Sequence, residues 1–345
     1  MRKTGRREFI LTTTLSGIAL GLAAKGICTP NTADSEAGKR IGIIGLDTSH
    51  STAFTKALFD AKDSEKFAGF RIVAAYPHGS KDIASSVERI AGYTAEVQKM
   101  GVEIVSSIEE LLPKVDLVLL ETNDGRLHLE QALPVLKAGK RMFIDKPMAA
   151  SLADAIAIFN AAQKYNVPIF SSSSLRYVTG MDDVISGKIG KVTGAEAYSP
   201  AKLEKTHPDL FWYGIHGVET LFTAMGTGCQ SVFRVSNADT DIVVGTWNDG
   251  RIGTFRGIRK GKAEYGGTVY GESGIKVLGP YAGYNPLLER IIEFFKTGIP
   301  PVKEEETLEI LAFMEAADLS KKKGKPVELS KVIEKAKAKA RQITI

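Results

Sequence analysis

From residue 40 the chain alternates short apolar runs with stretches of helical periodicity. Apolar runs at 40–45, 70–76, 103–105, 117–121, 141–144 and 168–171 read as strands. Between them, apolar residues recur at helical spacing over 52–61, 83–93, 108–112, 126–138 and 151–165. That alternation predicts an α/β, Rossmann-like, doubly wound parallel sheet over residues 39–174. Beyond it, strand patterns follow one another at 192–197, 231–235, 242–246, 252–258, 262–270 and 274–278, with Asn248-Asp249-Gly250 as a hairpin turn. Helical periods close the chain at 287–296, 304–321 and 329–341. Residues 175–345 are therefore expected to form an α+β domain on an open, largely antiparallel sheet, one face covered by helices and the other facing water or a partner.

Doubly wound sheets bind ligands at the carboxyl ends of their strands. The first loop there, residues 41–50, runs Ile-Gly-Ile-Ile-Gly-Leu-Asp-Thr-Ser-His, the strand, tight turn and helix start that place a pyrophosphate on a helix N-terminus. Of the G-x-G-x-x-G fingerprint only Gly45 stands; Asp47 takes the second glycine's place and His50 the third's. A carboxylate about 4 Å from a pyrophosphate costs about 4 kcal/mol at an effective dielectric near 20. Two outcomes are open. Asp47 caps the helix while the Thr48 and Ser49 hydroxyls face the phosphate, or the loop holds no dinucleotide and Asp47 binds a sugar hydroxyl. The second loop, 76–80, has no acid for a ribose before Asp82, but offers His78 and Ser80 to a hydroxyl or a 2′-phosphate. The third runs from Glu121 through Thr122 and Asn123 to His128, and the fourth is Asp145-Lys146-Pro147.

Charge and composition change little. Of the formal net charge of +5, four units lie in residues 1–26, so the remainder is nearly neutral, and no basic cluster with interleaved aromatics points to nucleic acid. Residues 1–26 have a basic start, an apolar run too short to span a membrane and small residues near its end, a signal peptide. Arg6-Arg7-Glu8-Phe9-Ile10 resembles the twin-arginine export motif, which implies an exported, periplasmic protein with no stable membrane span once the signal is removed. Residues 27–38 read as a linker. Bulky Ile27 before Cys28 argues against a lipoprotein, and Cys28 and Cys229 form no C-x-x-C. The five histidines, with Asp47, Asp124 and Glu219, show no metal-ligand spacing such as H-E-x-x-H, so no metal is expected.

Two further stretches carry a resemblance. Thr122 to His128, followed by Ala138-Gly139-Lys140 and Asp145-Lys146-Pro147, is similar to the Gfo/Idh/MocA family (glucose–fructose oxidoreductase / inositol dehydrogenase), with Asp145 for its Glu. Residues 211–219 resemble the family's Asp-x-Gly-x-His-x-x-Asp: Gly214 and His216 match, Glu219 takes the last acid position, and Trp212 stands where the first acid belongs.

The resemblance implies NAD or NADP, tightly held in an exported enzyme, and a homo-oligomer formed through the open sheet face. Its implied cofactor contacts join those of the loops: Gly45, Asp47, Thr48, Ser49, His50, His78, Thr122, Asn123, His128, Asp145 and Lys146. Lys146 and His216 would carry the chemistry, a lysine stabilising a developing alkoxide and a histidine taking the hydroxyl proton, with Glu219 orienting the histidine. Arg176, Trp212 and Tyr213 are candidate contacts to a small carbohydrate substrate, Trp212 by stacking on a sugar face. The expected activity is NAD(P)-dependent oxidation or reduction at a sugar or glycoside hydroxyl. The competing readings are a lyase, epimerase or glycoside-cleaving enzyme that recycles its cofactor, and a non-redox carbohydrate-binding protein.

Overall fold

The computed structural model describes residues 38–61, 65–67 and 69–345; the expected signal segment and nearly all of the linker, with Cys28, lie outside them. The first sheet holds β1 (Arg40–Ile44), β2 (Arg71–Tyr76), β3 (Glu103–Ile104), β4 (Leu117–Leu120), β5 (Met142–Ile144) and β6 (Ile169–Ser171). Its order is β3-β2-β1-β4-β5-β6 and every neighbouring pair is parallel, the doubly wound arrangement expected. The central strands lie between helical layers, which is why they read as unbroken apolar runs: β4 and β5 are buried at every position. The helices are α1 (Ser49–Asp60), α2 (Ala84–Lys99), α3 (Ile108–Leu111), α4 (His128–Lys137) and α5 (Leu152–Lys164). Ser151 caps α5 by accepting from the Asp154 N–H. α2 runs six residues past its expected end.

Gly45 ends β1 at the switch point between β1 and β4. Its φ is +92°, and a Cβ there would overlap the Thr122 backbone and hydroxyl. Glycine is therefore required by the crossing of the loops after β1 and β4, whether or not a ligand is held.

The second sheet follows α6 (Met181–Ile185) and includes β7 (Val192–Pro200), β8 (Cys229–Ser236), β9 (Thr240–Trp247), β10 (Ile252–Ile258), β11 (Gly266–Gly271), β12 (Gly274–Leu278) and β13 (Val327–Glu328). The order is β12-β11-β7-β10-β9-β8-β13; β7 and β10 pair in parallel and the other neighbours antiparallel. Between β7 and β8 lie α7 (Asp209–Trp212) and α8 (Ile215–Met225); α9 (Asn285–Thr297), α10 (Glu304–Lys323) and α11 (Leu329–Ala340) follow β12. α8 and α10 pack on one face. The opposite face leaves Phe233, Val235, Ile252, Ile275 and Val277 exposed.

The division expected after residue 174 is crossed by α9. Leu287, Leu288, Ile291, Ile292, Phe294 and Phe295 pack with Ile41, Ile43, Phe54, Phe143 and Phe170 of the first sheet's layer. The chain thus returns to close the nucleotide-type domain, and the described residues form one compact unit. Among the described residues no helix is long and apolar enough to cross a membrane. Cys229 is buried and free.

Candidate active site

The loops after β1, β4 and β5 meet the start of α8 around a cleft of about 250 Å³. From the first sheet come Thr48, Ser49, His50, Asn123 and Lys146; from the second half come Trp212, Tyr213 and His216. Tyr265, Tyr281, Tyr284 and the cations Arg89 and Lys202 also line it, and among the described residues no acidic side chain does.

Lys146 sits where β5 ends. Its ammonium lies 3.8 Å from Asp145, which is fully buried behind it. His216 occupies the first turn of α8. Its Nδ1 is 2.7 Å from the Ser173 hydroxyl, leaving Nε2 as the nitrogen available to a ligand. The Ser173 oxygen also accepts the Leu175 N–H. Burial, followed by the neighbouring Lys146 and His50, holds His216 well below the ordinary imidazole range, so the ring is neutral at pH 7.

Glu219 lies one turn along α8 but does not touch His216, a correction to its expected role. It accepts from the Ser172 hydroxyl, the Ser173 N–H and the Arg176 guanidinium, at 2.8, 2.8 and 2.9 Å. Its influence on the histidine passes through Ser173. Arg176, expected at the substrate, is engaged elsewhere: it is buried between Glu219 and Glu306. An arginine that neutralises two carboxylates in the interior is not available to a sugar.

Several expected cofactor contacts are also reassigned. His128 is fully buried, with Nδ1 3.1 Å from the Met148 carbonyl and Nε2 2.7 Å from that of Thr122. It ties the loops after β4 and β5 together and lies outside the cleft. His78 stacks on Tyr76 at 5.4 Å and lines a separate groove of about 530 Å³ beside Val87, Ile90 and Ala91. Ser80 and Asp82 are held by Arg126, so no acid is presented to a ribose in that groove.

Asp47 does not follow the capping alternative: it is fully buried and does not cap α1. Oδ1 accepts the Asn123 N–H at 2.9 Å and Oδ2 the Ser80 N–H at 3.4 Å. The carboxylate thus bridges the loops after β2 and β4, and a Cβ on Gly79 would overlap it. Burial pushes its carboxyl up, the direction that reduces its charge. Thr48 occupies the N-cap of α1 with no side-chain capping bond, and its hydroxyl is buried without a partner. Uncapped N–H groups at a helix start, next to an unpartnered hydroxyl in a cleft, suit an anionic group. The apolar groove beyond β2 suits a flat base. The residues therefore fit a dinucleotide, Asp47 being the one that opposes it.

His50 reaches inward to Asp145 at 3.0 Å and packs edge-on against Tyr284 at 4.6 Å. Glu121, which no motif marks, is fully buried 3.8 Å from His50. A lone acid closing the apolar run 117–121 was its only signal. Tyr265 lies just ahead of β11, inside the run 262–270 expected to be strand, and Tyr281 and Tyr284 lie in the connection before α9; nothing local marks them as site residues.

A doubly wound nucleotide-type domain joined to a second open-sheet domain, with a Lys–His cleft between the two sheets, defines the class by its fold. Residues 39–173 match the family model described as "Oxidoreductase family, NAD-binding Rossmann fold". A curated relative, 1,5-anhydro-D-fructose reductase of Ensifer adhaerens, is 34% identical over 122 residues, 34% of this chain and 36% of that protein. The matches span 36 to 40% of the length of the curated relatives. Among solved structures, myo-inositol dehydrogenase from Lactobacillus casei, in complex with NAD(H) and myo-inositol, superposes with a TM-score of 0.67 at 18% identity over 84% of this chain and 96% of that one. Scyllo-inositol dehydrogenase from the same organism gives 0.65 at 15% identity over 84% and 99%. At these identities the structures establish a shared fold for both domains.

Proposed function

We propose that the protein is an NAD(P)-dependent oxidoreductase acting on a hydroxyl of a sugar or polyol. The observation that carries this reading is the convergence of Lys146, from the end of β5, and His216, from the start of α8, on one cleft into which α1 opens uncapped. When bound, the nicotinamide supplies the hydride acceptor. Lys146 donates to the substrate oxygen and stabilises the developing alkoxide. His216 takes the proton at Nε2. For that, Nδ1 must carry the ring's hydrogen and donate to Ser173, whose oxygen then accepts from both Nδ1 and the Leu175 N–H. Trp212 and the tyrosines supply faces on which a sugar ring can stack. The names of the anhydrofructose reductase and the inositol dehydrogenases support a polyhydroxylated substrate. We also propose export through the twin-arginine signal of residues 1–26, and a homo-oligomer covering the exposed apolar face of the second sheet.

Mass spectrometry of small molecules released from the exported native protein tests the reading. NAD or NADP in the extract, with turnover on a polyol panel that disappears in Lys146→Met, is the expected result. No released cofactor, together with no fluorescence change on adding NADH or NADPH, overturns it. A second reading is favoured by Asp47, a carboxylate in the second glycine's place that takes up the Asn123 and Ser80 N–H groups: a carbohydrate-binding protein without redox activity. Sugar binding that survives both Lys146→Met and His216→Gln, with no turnover, would select it.

A further inference from the structure

Behind the cleft, the loops after the adjacent strands β1, β4 and β5 bring three ionisable side chains together. The parallel register pairs Leu120 with Ile144, so the next residues, Glu121 and Asp145, stand side by side, and His50 from the first turn of α1 closes the group. One donor atom from each lies within 4.8 Å of the others. Both carboxylates are fully buried and His50 is 5% exposed. Two adjacent acids in the interior of a sheet need compensation, and the protein supplies little. His50 reaches one oxygen of Asp145. The second oxygen of Asp145, and both oxygens of Glu121, are buried without a hydrogen-bond partner. The Lys146 backbone N–H supports the Asp145 carboxylate, but the Lys146 ammonium, at 3.8 Å, is too far to hydrogen-bond it.

We propose that His50, Glu121 and Asp145 bind a divalent transition-metal cation at the floor of the cleft. One imidazole nitrogen with two carboxylate oxygens is a donor set suited to Mn²⁺ or Zn²⁺ rather than to an all-oxygen cation such as Ca²⁺. The unpartnered oxygens of Glu121 and Asp145 are the ones such an ion would take up. His50 also lines the cleft, so the ion would lie between the buried acids and the space open to a ligand. The sequence shows no metal spacing because the ligands come from the first turn of α1 and from the ends of β4 and β5, which only the folded sheet brings together. The site does not depend on the oxidoreductase reading, since it is assessed without dinucleotide or turnover.

The test is a titration of the folded, EDTA-treated protein with Mn²⁺ alone, following free Mn²⁺ by electron paramagnetic resonance. One Mn²⁺ bound per chain, displaced by Zn²⁺, is expected. Glu121→Gln keeps the volume and removes the charge. It is expected to weaken binding by about 100-fold or more, because loss of even a group supporting a metal ligand costs about 10–100-fold. Circular dichroism checks its fold, and Asp145→Asn replaces it if folding fails. No binding of Mn²⁺ or Zn²⁺ by the native protein at millimolar concentration overturns the proposal, as does binding unchanged in a folded variant. Infrared bands of a protonated carboxyl, lost in Glu121→Gln, would in that case show that Glu121 and Asp145 share a proton instead.

Discussion

Replacing Asp47 by glycine restores the second glycine of the fingerprint and is expected to tighten dinucleotide binding. In the native chain the Asp47 carboxylate takes the N–H groups of Asn123 and Ser80, so an incoming pyrophosphate meets both an occupied donor set and a like charge. At about 4 Å and an effective dielectric near 20 the repulsion is about 4 kcal/mol for full charges. Burial moves the Asp47 carboxyl toward its neutral form, which makes that an upper bound. With about 1.4 kcal/mol per tenfold change, the gain in affinity falls between about 10-fold and about 10³-fold. The same change costs stability, since two hydrogen bonds to a buried carboxylate are lost at about 1.5–3 kcal/mol each. The assay is titration of NADH and NADPH fluorescence in both proteins, with thermal unfolding alongside. Gly79→Ala gives an internal control: its Cβ overlaps Asp47 in the native chain, so it should destabilise strongly there and much less beside glycine at 47. Affinity within twofold of native in a folded Asp47→Gly protein would refute the reasoning and leave Asp47 as a tie between two loops.

Lys146→Met and His216→Gln are each expected to lower turnover by about 10²–10⁴-fold, His216→Gln leaving NADH binding close to native, separable by steady-state kinetics and fluorescence titration. Because His216 is held neutral by burial and the neighbouring Lys146 ammonium, the acid limb of kcat/KM for alcohol oxidation should lie below about pH 6.5, the ordinary imidazole value. Stability should follow the same group. As pH falls below about 6.5 the unfolded chain takes up a proton that the folded chain refuses, so this contribution is lost at up to about 1.4 kcal/mol per pH unit until the depressed folded value is reached; in denaturant titrations His216→Gln should flatten that slope. Arg176→Met leaves Glu219 and Glu306 without their shared cation and should cost about 3–5 kcal/mol of unfolding free energy. Had Arg176 been a substrate contact instead, KM would rise with stability unchanged.

The first sheet was legible because a strand buried on both faces must be an apolar run, and a crossover helix must show one apolar stripe. Those two patterns placed all six parallel strands, and the loops at their carboxyl ends followed from the topology. The second sheet was legible in outline, with β13 missed as a two-residue edge pairing to β8. Local periodicity could not show that α9 belongs to the first sheet, since an amphipathic helix records that it buries a face but not against what. Short motifs marked Lys146, His216 and Trp212, and the structure brings all three to the cleft. The partners of Arg176, Glu219 and His128 stayed hidden: a charged or aromatic side chain means one thing in solvent and another between buried partners, and only long-range packing decides which. Asp47 shows the limit most clearly. The sequence by itself determined that a carboxylate replaces a glycine at the turn after β1. Only the tertiary structure decided that it spans to Asn123 and Ser80, because those N–H groups come from loops that meet Asp47 only when β1, β2 and β4 lie side by side.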